Sequence, residues 1–442
     1  MSVPRVRGPL RVSAWLRRWG PLLPLLVAEL IVMIGFGALL PVLPLYVQEQ
    51  GISATQLGLI VAAWPIAKLI SEPIAGWWAD RHWRKPQMVA GLVILGIASL
   101  LPLFFTSFAA LFGLRFIAGA ATGLFDPAAR GMIVDATDED ERGEAFGFYA
   151  AFQIGGFAIG PAIGALGAAL IGGYAFPFFF TCLLAMAAGV VLAIYLSPRP
   201  HVVEAPEFDH HPEVKPLPPG VPFSASELAA VPRGPSSRAE QAPISAIFNR
   251  TVVAALVLTF GLHLSFGTYE VVWSLYLIAL GATITWVGAT FVLFAIPEML
   301  ASPIAGRYID RKGPIGFVIG SGLVIIVSGA LYALASEPVL PTLVVPVEAA
   351  ATAVMNPALF AMLARGTPAG RSSTAQGLFG AASTLALVVA SVVAGSLFEQ
   401  DIGLPFWFFV VGMIGCLIAG LLIYRSARSA VSPVPARAPA AR

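Results

Sequence analysis

Runs of about 20 predominantly apolar residues, the length a helix needs to cross a hydrocarbon layer, follow one another along almost the whole of this chain. No other feature restricts the fold as strongly. Lipid offers no water to an exposed backbone N–H or C=O, so each run must satisfy its own backbone as a helix or join a closed barrel. A barrel would show alternating strands of about ten residues, and no such alternation is present. Charged residues make up 11% of the 442, against roughly 25% in soluble domains, so most of the outer surface must meet lipid. The chain reads as an all-α membrane protein of about twelve transmembrane helices.

Spans are expected at 21–47, 54–78, 87–107, 108–131, 143–170, 174–197, 250–280, 282–307, 315–335, 340–364, 372–397 and 404–424. The third and fourth, and the seventh and eighth, are joined by very short turns. The basic N-terminus followed by an apolar run mimics a secretory signal. That run is too long, holds Glu29 and lacks a small-residue cleavage site, so it is assigned to the first span. The expected organisation is a tail (1–20), a six-helix bundle (21–197), a Pro-rich linker (198–249), a second six-helix bundle (250–425) and a C-terminal tail (426–442). The linker carries His201, His210 and His211 among Pro, Glu and Asp, a composition that suits a solvated connector better than a metal site. Cys182 and Cys416 fall in separate spans and suggest neither a disulfide nor a metal. No cofactor, metal or nucleic acid is called for, and a monomer is expected.

Lys and Arg are distributed unevenly between the two ends of the spans. One end collects Arg5, Arg7, Arg11, Arg17 and Arg18, then Arg81, Arg84 and Lys85, Arg130 and Arg142, Arg307, Arg311 and Lys312, Arg365 and Arg371, and Arg425 onward. The loops at 48–53, 106–108, 170–174, 281–284, 336–339 and 398–403 contain neither residue. The positive-inside rule then puts both termini in the cytoplasm, in the inner (plasma) membrane.

A constant offset of 230 residues lays the sequence over itself. SEPIAG (71–76) falls on ASPIAG (301–306), Asp80-Arg81 on Asp310-Arg311, Leu45-Tyr46 on Leu275-Tyr276, Gly58 on Gly288 and Gly147 on Gly377. Thr122, Pro127 and Met132 fall on Thr352, Pro357 and Met362, with Asp126 over Asn356. Two parallel repeats suit a transporter whose halves rock about a midplane site.

GWWADRHWRK (76–85) resembles the loop signature of the major facilitator superfamily, with Gly76, Asp80, Arg81, Arg84 and Lys85 in its positions and Trp83 where the family has a second Gly. GRYIDRKG (306–313) is a degenerate second copy, with Asp310 and Arg311. LFGLRFIAGAATG (111–123) is similar to the family's fourth-helix motif around a membrane Arg, here Arg115. Gly147, Gly156, Gly160, Pro161 and Gly164 have the spacing of the fifth-helix motif of proton-driven exporters, with Ala165 replacing its last Gly. PVLPLY (41–46) resembles the end of the first helix in twelve-helix drug/proton antiporters. The resemblance covers the chain outside the linker and tails. It implies two pseudo-symmetric six-helix bundles. It also implies a gating role for the loop motif, with Asp80 facing the N-terminal dipole of the eleventh span, and a pivot at Gly156, Gly160, Pro161 and Gly164. Glycines four apart also permit close backbone approach without reference to any family.

Ionisable residues inside spans are costly unless paired or wet, so they are the site candidates. Glu29, Lys68, Glu72, Arg115 and Asp126 lie in the first half, and His263, Glu270, Glu298 and Glu348 in the second. The position of Glu29 resembles that of the membrane acid which antiporters of this type use near the fourth-helix Arg. The proton-coupling and cavity set is therefore expected to comprise Glu29, Arg115, Asp126, Glu270, Glu348 and Asn356. Competing readings stay open. Lys68 and Glu72, four apart on one helical face, make a self-neutralising pair or a substrate contact. Asp126 caps backbone or serves the site, and His263 is a packing residue or a ligand. Glu270 and Glu348 have no cation near them in sequence. Trp64, Phe266, Tyr269, Trp273 and Phe294 line a cavity or simply pack.

The expected function is secondary active transport, as proton-coupled efflux of small lipophilic or cationic compounds by alternating access. The alternatives are a facilitator-type importer or uniporter of a sugar or organic anion and, more remotely, a membrane enzyme or receptor. No nucleophile–base pair or nucleotide loop supports an enzyme. The loop charges generate a direct test. In a Cys-free background, single cysteines at Ser53 and Gln400 are expected to react with impermeant thiol reagents from outside intact cells. One at Ser236 should react only after permeabilisation; labelling it in intact cells would overturn the twelve-span topology.

Overall fold

The computed structural model describes residues 19–137, 139–171, 173–196, 243–368 and 371–429. The histidine-bearing part of the linker (197–242) and the two terminal segments lie outside the described residues.

Helices dominate because each apolar run closes its own backbone hydrogen bonds. The first span is broken in two, α1 (Leu23–Leu39) and α2 (Leu43–Glu49), bent by 41°. The expected continuous helix is interrupted at Pro41, which offers no N–H to continue the hydrogen-bond ladder, while Leu40 before it keeps helical torsions. Next come α3 (Ala54–Ala79), α4 (Arg84–Leu100), α5 (Phe108–Asp135), α6 (Glu139–Ile171) and α7 (Ala175–Tyr195). After the linker come α8 (Arg250–Ala279), α9 (Ile284–Lys312), α10 (Ile315–Leu334), α11 (Val339–Gly366), α12 (Ser372–Phe398) and α13 (Leu404–Ser429). Among the described residues eleven helices are long and apolar enough to span by themselves, and α1–α2 taken together make twelve. Starts follow local chemistry: Ser53 and Gln56 form a capping box, and Ser107, Asn249 and Thr283 cap α5, α8 and α9.

The repeat read from the sequence reappears as contacts. Tyr46 Oη donates to the Pro102 carbonyl at 2.7 Å, and its counterpart Tyr276 Oη donates to the Tyr332 carbonyl at 2.6 Å. Inside the first half, α6 lays its small residues on α1. A Cβ on Gly156 would come within 2.6 Å of the Leu30 carbonyl, and one on Gly160 or Gly164 would collide with the backbone of Ile34 or Ala38. Pro161 sits on the same face, against Gly37.

The two halves meet at the end whose loops lack Lys and Arg. Gly58 of α3 abuts the Ser391 carbonyl of α12, and Gly395 abuts the Ala54 carbonyl. The offset of 230 maps this crossing onto a second one, where Gly288 of α9 touches Ala165 and approaches the Pro161 carbonyl. Ala165, which departs from the family pattern, is thus the α6 residue facing the other half. Glu399, at the end of α12, accepts a hydrogen bond from the Thr55 N–H at 2.8 Å. That bond caps the start of α3 across the halves and, with help from Ser53, holds the Glu399 carboxyl below its ordinary value of 4.5.

The seal can be tested with a cross-linkable cysteine pair at Ser53 and Gln400 in a Cys-free background. Gly58→Val forces α3 off α12, an overpacking cost of about 1–3 kcal/mol, and should lower cross-linking about fivefold or more. Gly113→Ala, in open space, should not. Because the Glu399 carboxyl sits below 4.5 in the closed form, it stabilises closure at all pH above that value and is lost as pH falls through the lowered one. Corrected for the fall in reactive thiolate, cross-linking is therefore expected to be flat from pH 8 to 5 and to weaken only in stronger acid, whereas Glu399→Gln should weaken it from pH 8 to 5 and add little in stronger acid.

Candidate functional site

Between the halves lies a cavity of two lobes, about 360 Å³ and about 310 Å³, sizes that suit small organic ligands. The lobes share the side chains of Phe36, Trp64, Phe157 and Phe266. Phe36 packs against Trp64 (centroids 5.4 Å apart) and stacks on Phe157 (6.4 Å). Trp64, Phe266, Tyr269, Trp273 and Phe294, ambiguous in the sequence, all line the cavity.

Charges sit at two levels along the helices. Toward the charge-free end, Arg115 lies seven residues into α5, roughly 10 Å along its axis. Its guanidinium donates to Glu270 of α8 at 3.1 Å, a bridge between the halves, and lies over the rings of Phe36 and Trp64 at 5.7 and 6.0 Å. The reading of Glu270 as lacking a cation is therefore corrected. Its partner is 155 residues away in sequence and visible only once the halves face each other. Glu348, also read as having no cation nearby, accepts from two neutral hydroxyls, Tyr269 Oη at 2.5 Å and Tyr332 Oη at 2.7 Å.

Nearer the basic end, Lys68 bonds Asp126 at 2.5 Å and lies 3.7 Å from Glu72. Arg130 reaches Asp126 at 3.6 Å and Glu72 at 3.9 Å. The isolated Lys68–Glu72 pair expected from spacing is thus part of a four-membered network joining α3 to α5. Lys68 also lies 5.1 Å from the Trp64 ring centroid.

Glu29 is fully buried and accepts from Gln153 Nε2 at 2.8 Å. Gln153 lines the larger lobe and Glu29 does not. The expected pairing of Glu29 with Arg115 is not observed: Arg115 bonds Glu270, and Glu29 stands behind the wall. Asn356 and His263 line the smaller lobe. His263 turns its Nδ1 to the Thr259 carbonyl at 2.8 Å, a local bond along its own helix.

The loop motif is spread out. Arg84 pairs with Asp135 and, at 3.5 Å, with Asp80, whose side chain is 70% exposed. Lys85 donates to the Leu196 carbonyl at 2.7 Å, and Arg81 lies 4.1 Å over the Trp77 ring. Gly76 faces Pro127 at ordinary contact distance. Arg311 lies in the last turn of α9, and the Asp310 side chain falls outside the described ones. Reading by charge within spans overlooked four residues: Gln153 and Tyr332, which are neutral; Arg130, which passed for a loop charge; and Asp135.

A family model described as Major Facilitator Superfamily matches residues 25–345 and 255–442. Multidrug resistance protein 2 of Bacillus subtilis (strain 168) is 30% identical over 181 residues, 41% of this chain and 45% of that protein. Quinolone resistance protein NorA of Staphylococcus aureus (strain MRSA252) is 28% identical over 166 residues, 38% and 42% of the two chains. The chain thus matches less than half the length of these curated relatives. The fold resembles that of the nucleoside transporter NupG in a mutant form (TM-score 0.72, 15% identity, covering 91% of this chain and 100% of that one). It also resembles the human organic anion transporter MFSD10 (TETRAN), with TM-score 0.61, 18% identity and coverage of 92% and 99%. With the family match extending over nearly all of both repeats, this multi-pass membrane protein belongs to the major facilitator superfamily.

Proposed function

We propose that the protein exports small lipophilic or cationic compounds from the cytoplasm in exchange for protons, as a monomer in the inner membrane with both termini cytoplasmic. The observation that carries this reading is the Arg115–Glu270 pair. It is an ion pair between the halves, in the wall of an aromatic cavity. A carboxylate held by a single cation can trade that cation for a proton, and the trade changes what holds the halves together. The names of the relatives, both concerned with drug resistance, support the same direction, as does the fifth-helix glycine pattern. Closure at the charge-free end matches a state that loads from the cytoplasm.

On this reading Glu270 and Arg115 form the coupling centre. Glu348 is a second acid held by two tyrosines, and Glu29 acts through Gln153 on the cavity wall. Asp126 and Asn356 occupy matching places in the two halves. The α6 face of Gly156, Gly160, Pro161 and Gly164 serves as the pivot against α1. Asp80, exposed here beside Arg84, is the cytoplasmic latch, and it engages the start of α12 when the basic end closes.

Two predictions test the proposal. In proteoliposomes under an imposed pH gradient, with a pH-sensitive dye reporting proton flux, wild-type protein should move substrate in response to the gradient. Glu270→Gln should abolish the response while retaining substrate binding. Arg115→Ala should damage both, and Glu29→Gln should blunt coupling about a hundredfold, the lower end of the range for losing one positioned proton-transfer group. Substrate movement indifferent to the gradient would remove the antiport claim, and full coupling in Glu270→Gln would move the proton site. Separately, Asp80→Asn should slow transport and leave ligand affinity unchanged; wild-type turnover in that variant would refute the latch.

A further inference from the structure

Four carboxylates line the lobes, and three have partners. Asp126 is held by Lys68, Glu270 by Arg115, and Glu348 by Tyr269 and Tyr332. The fourth, Glu298 of α9, lines the larger lobe beside Phe266 and Ala295 and has neither a hydrogen bond nor an ion pair among the described residues.

The repeat explains why it is left over. The offset of 230 places Glu298 on Lys68 and Asn356 on Asp126. The first half therefore carries a self-neutralising pair at these positions, bonded at 2.5 Å. At the same two positions the second half carries one negative charge and a neutral amide. Lys68 and Arg115, the cations of the larger lobe, are already committed to Asp126 and Glu270. Glu348 in the smaller lobe has tyrosine hydroxyls in place of a cation, and Glu298 alone of the four has neither, in a larger lobe walled by Trp64, Phe36, Phe157 and Phe266, whose ring faces favour cations. An unmatched charge in such surroundings is costly, and a ligand of charge +1 would relieve it.

We infer that Glu298 receives the positive charge of the substrate, so that the cavity selects monovalent organic cations with an aromatic body over neutral or anionic molecules of the same shape. The inference rests on the efflux reading only in taking this cavity as the substrate site. Proton coupling belongs to the Arg115–Glu270 pair.

Tetraphenylphosphonium and tetraphenylborate, nearly identical in shape and opposite in charge at every pH, provide the test. Their affinities for purified full-length protein can be read by calorimetry or by quenching of tryptophan fluorescence. Wild-type protein should prefer the phosphonium. Glu298→Gln should weaken phosphonium binding at least about tenfold, the order expected for losing a desolvated charge pair, and leave the borate unchanged or tighter. Glu298→Asp should keep most of the phosphonium affinity, showing that the charge and not the fold is being read. Equal binding of both ions to wild type, or a Glu298→Gln variant that lowers both alike or neither, would overturn the assignment. The gradient assay separates the two claims. If wild-type transport ignored the gradient while Glu298→Gln still lost phosphonium preference, antiport would fall and the cation site would stand. Gradient-driven transport with no charge discrimination would do the reverse.

Discussion

An ionised side chain in the middle of a bilayer costs at least about 2.5–3.5 kcal/mol, and the need to offset that cost determines how these helices are joined. Several bonds of the buried acids run between elements. Lys68, Glu72, Asp126 and Arg130 tie α3 to α5, and Gln153 and Glu29 tie α6 to α1. Tyr269, Tyr332 and Glu348 tie α8, α10 and α11. Only the bond between Arg115 and Glu270 in this set crosses from one half to the other. Stripping one partner from a buried pair costs about 3–5 kcal/mol. Parting the halves at that level therefore requires a substitute for each charge. For a carboxylate that substitute is a proton or a cation, which is how a structural pair acquires a transport role on the proposed reading.

Where backbones of the two halves approach closely the contacts are small residues, as lipid demands. Apolar side chains gain nothing by leaving lipid for each other, so helices associate where backbones approach closely. Gly58 and Gly395 at one crossing and Gly288 with Ala165 at the other supply that approach. The crossings are related by the repeat but are not equal: Ala165 brings a Cβ where Gly395 has none. The helices α3 and α12 run antiparallel, so each presents its C-terminal end to the N-terminus of the other. At the charge-free end the carboxylate is Glu399, bonded to Thr55. At the basic end the equivalent position belongs to Asp80, exposed in this state. One helix pair thus carries a carboxylate at each end, and rocking suits engagement of one at a time.

The span count was legible because bilayer thickness fixes it, and the duplication was legible because a single offset aligned residues such as Tyr46 with Tyr276. The break at Pro41 was not. Pro65, Pro73, Pro127, Pro161, Pro346 and Pro357 lie inside unbroken helices, since neighbouring helices can satisfy the carbonyls that proline frees. A proline in a span therefore does not by itself announce a break. Site residues were legible as types and not as pairs. Glu270 and Arg115 stood out as misplaced charges, but their meeting depends on how the halves pack. Gln153 and Tyr332 carry no charge and gave no signal until their partners were located. Arg130 looked like a loop residue because its backbone is near the basic end, while its long side chain turns back to Asp126.

The asymmetry between the halves has a consequence for transport. A perfectly duplicated sequence would carry a Lys–Asp pair on each side and an electrically balanced cavity. Here the second half has Glu298 and Asn356 in those places, so the resting cavity needs one added positive charge. On the proposed reading a cationic substrate satisfies it at Glu298, while the proton is taken up at Glu270. Two positive charges taken up in one cavity repel each other, and by linkage each weakens the other by the same factor. Exchange of one for the other then follows from charge balance in the cavity, with no direct contact between the two ligands. The Arg115–Glu270 bridge lies beside the same Trp64 and Phe36 rings, so a cation arriving at Glu298 raises the local potential at Arg115. Its own attraction to Glu298 must outweigh that repulsion.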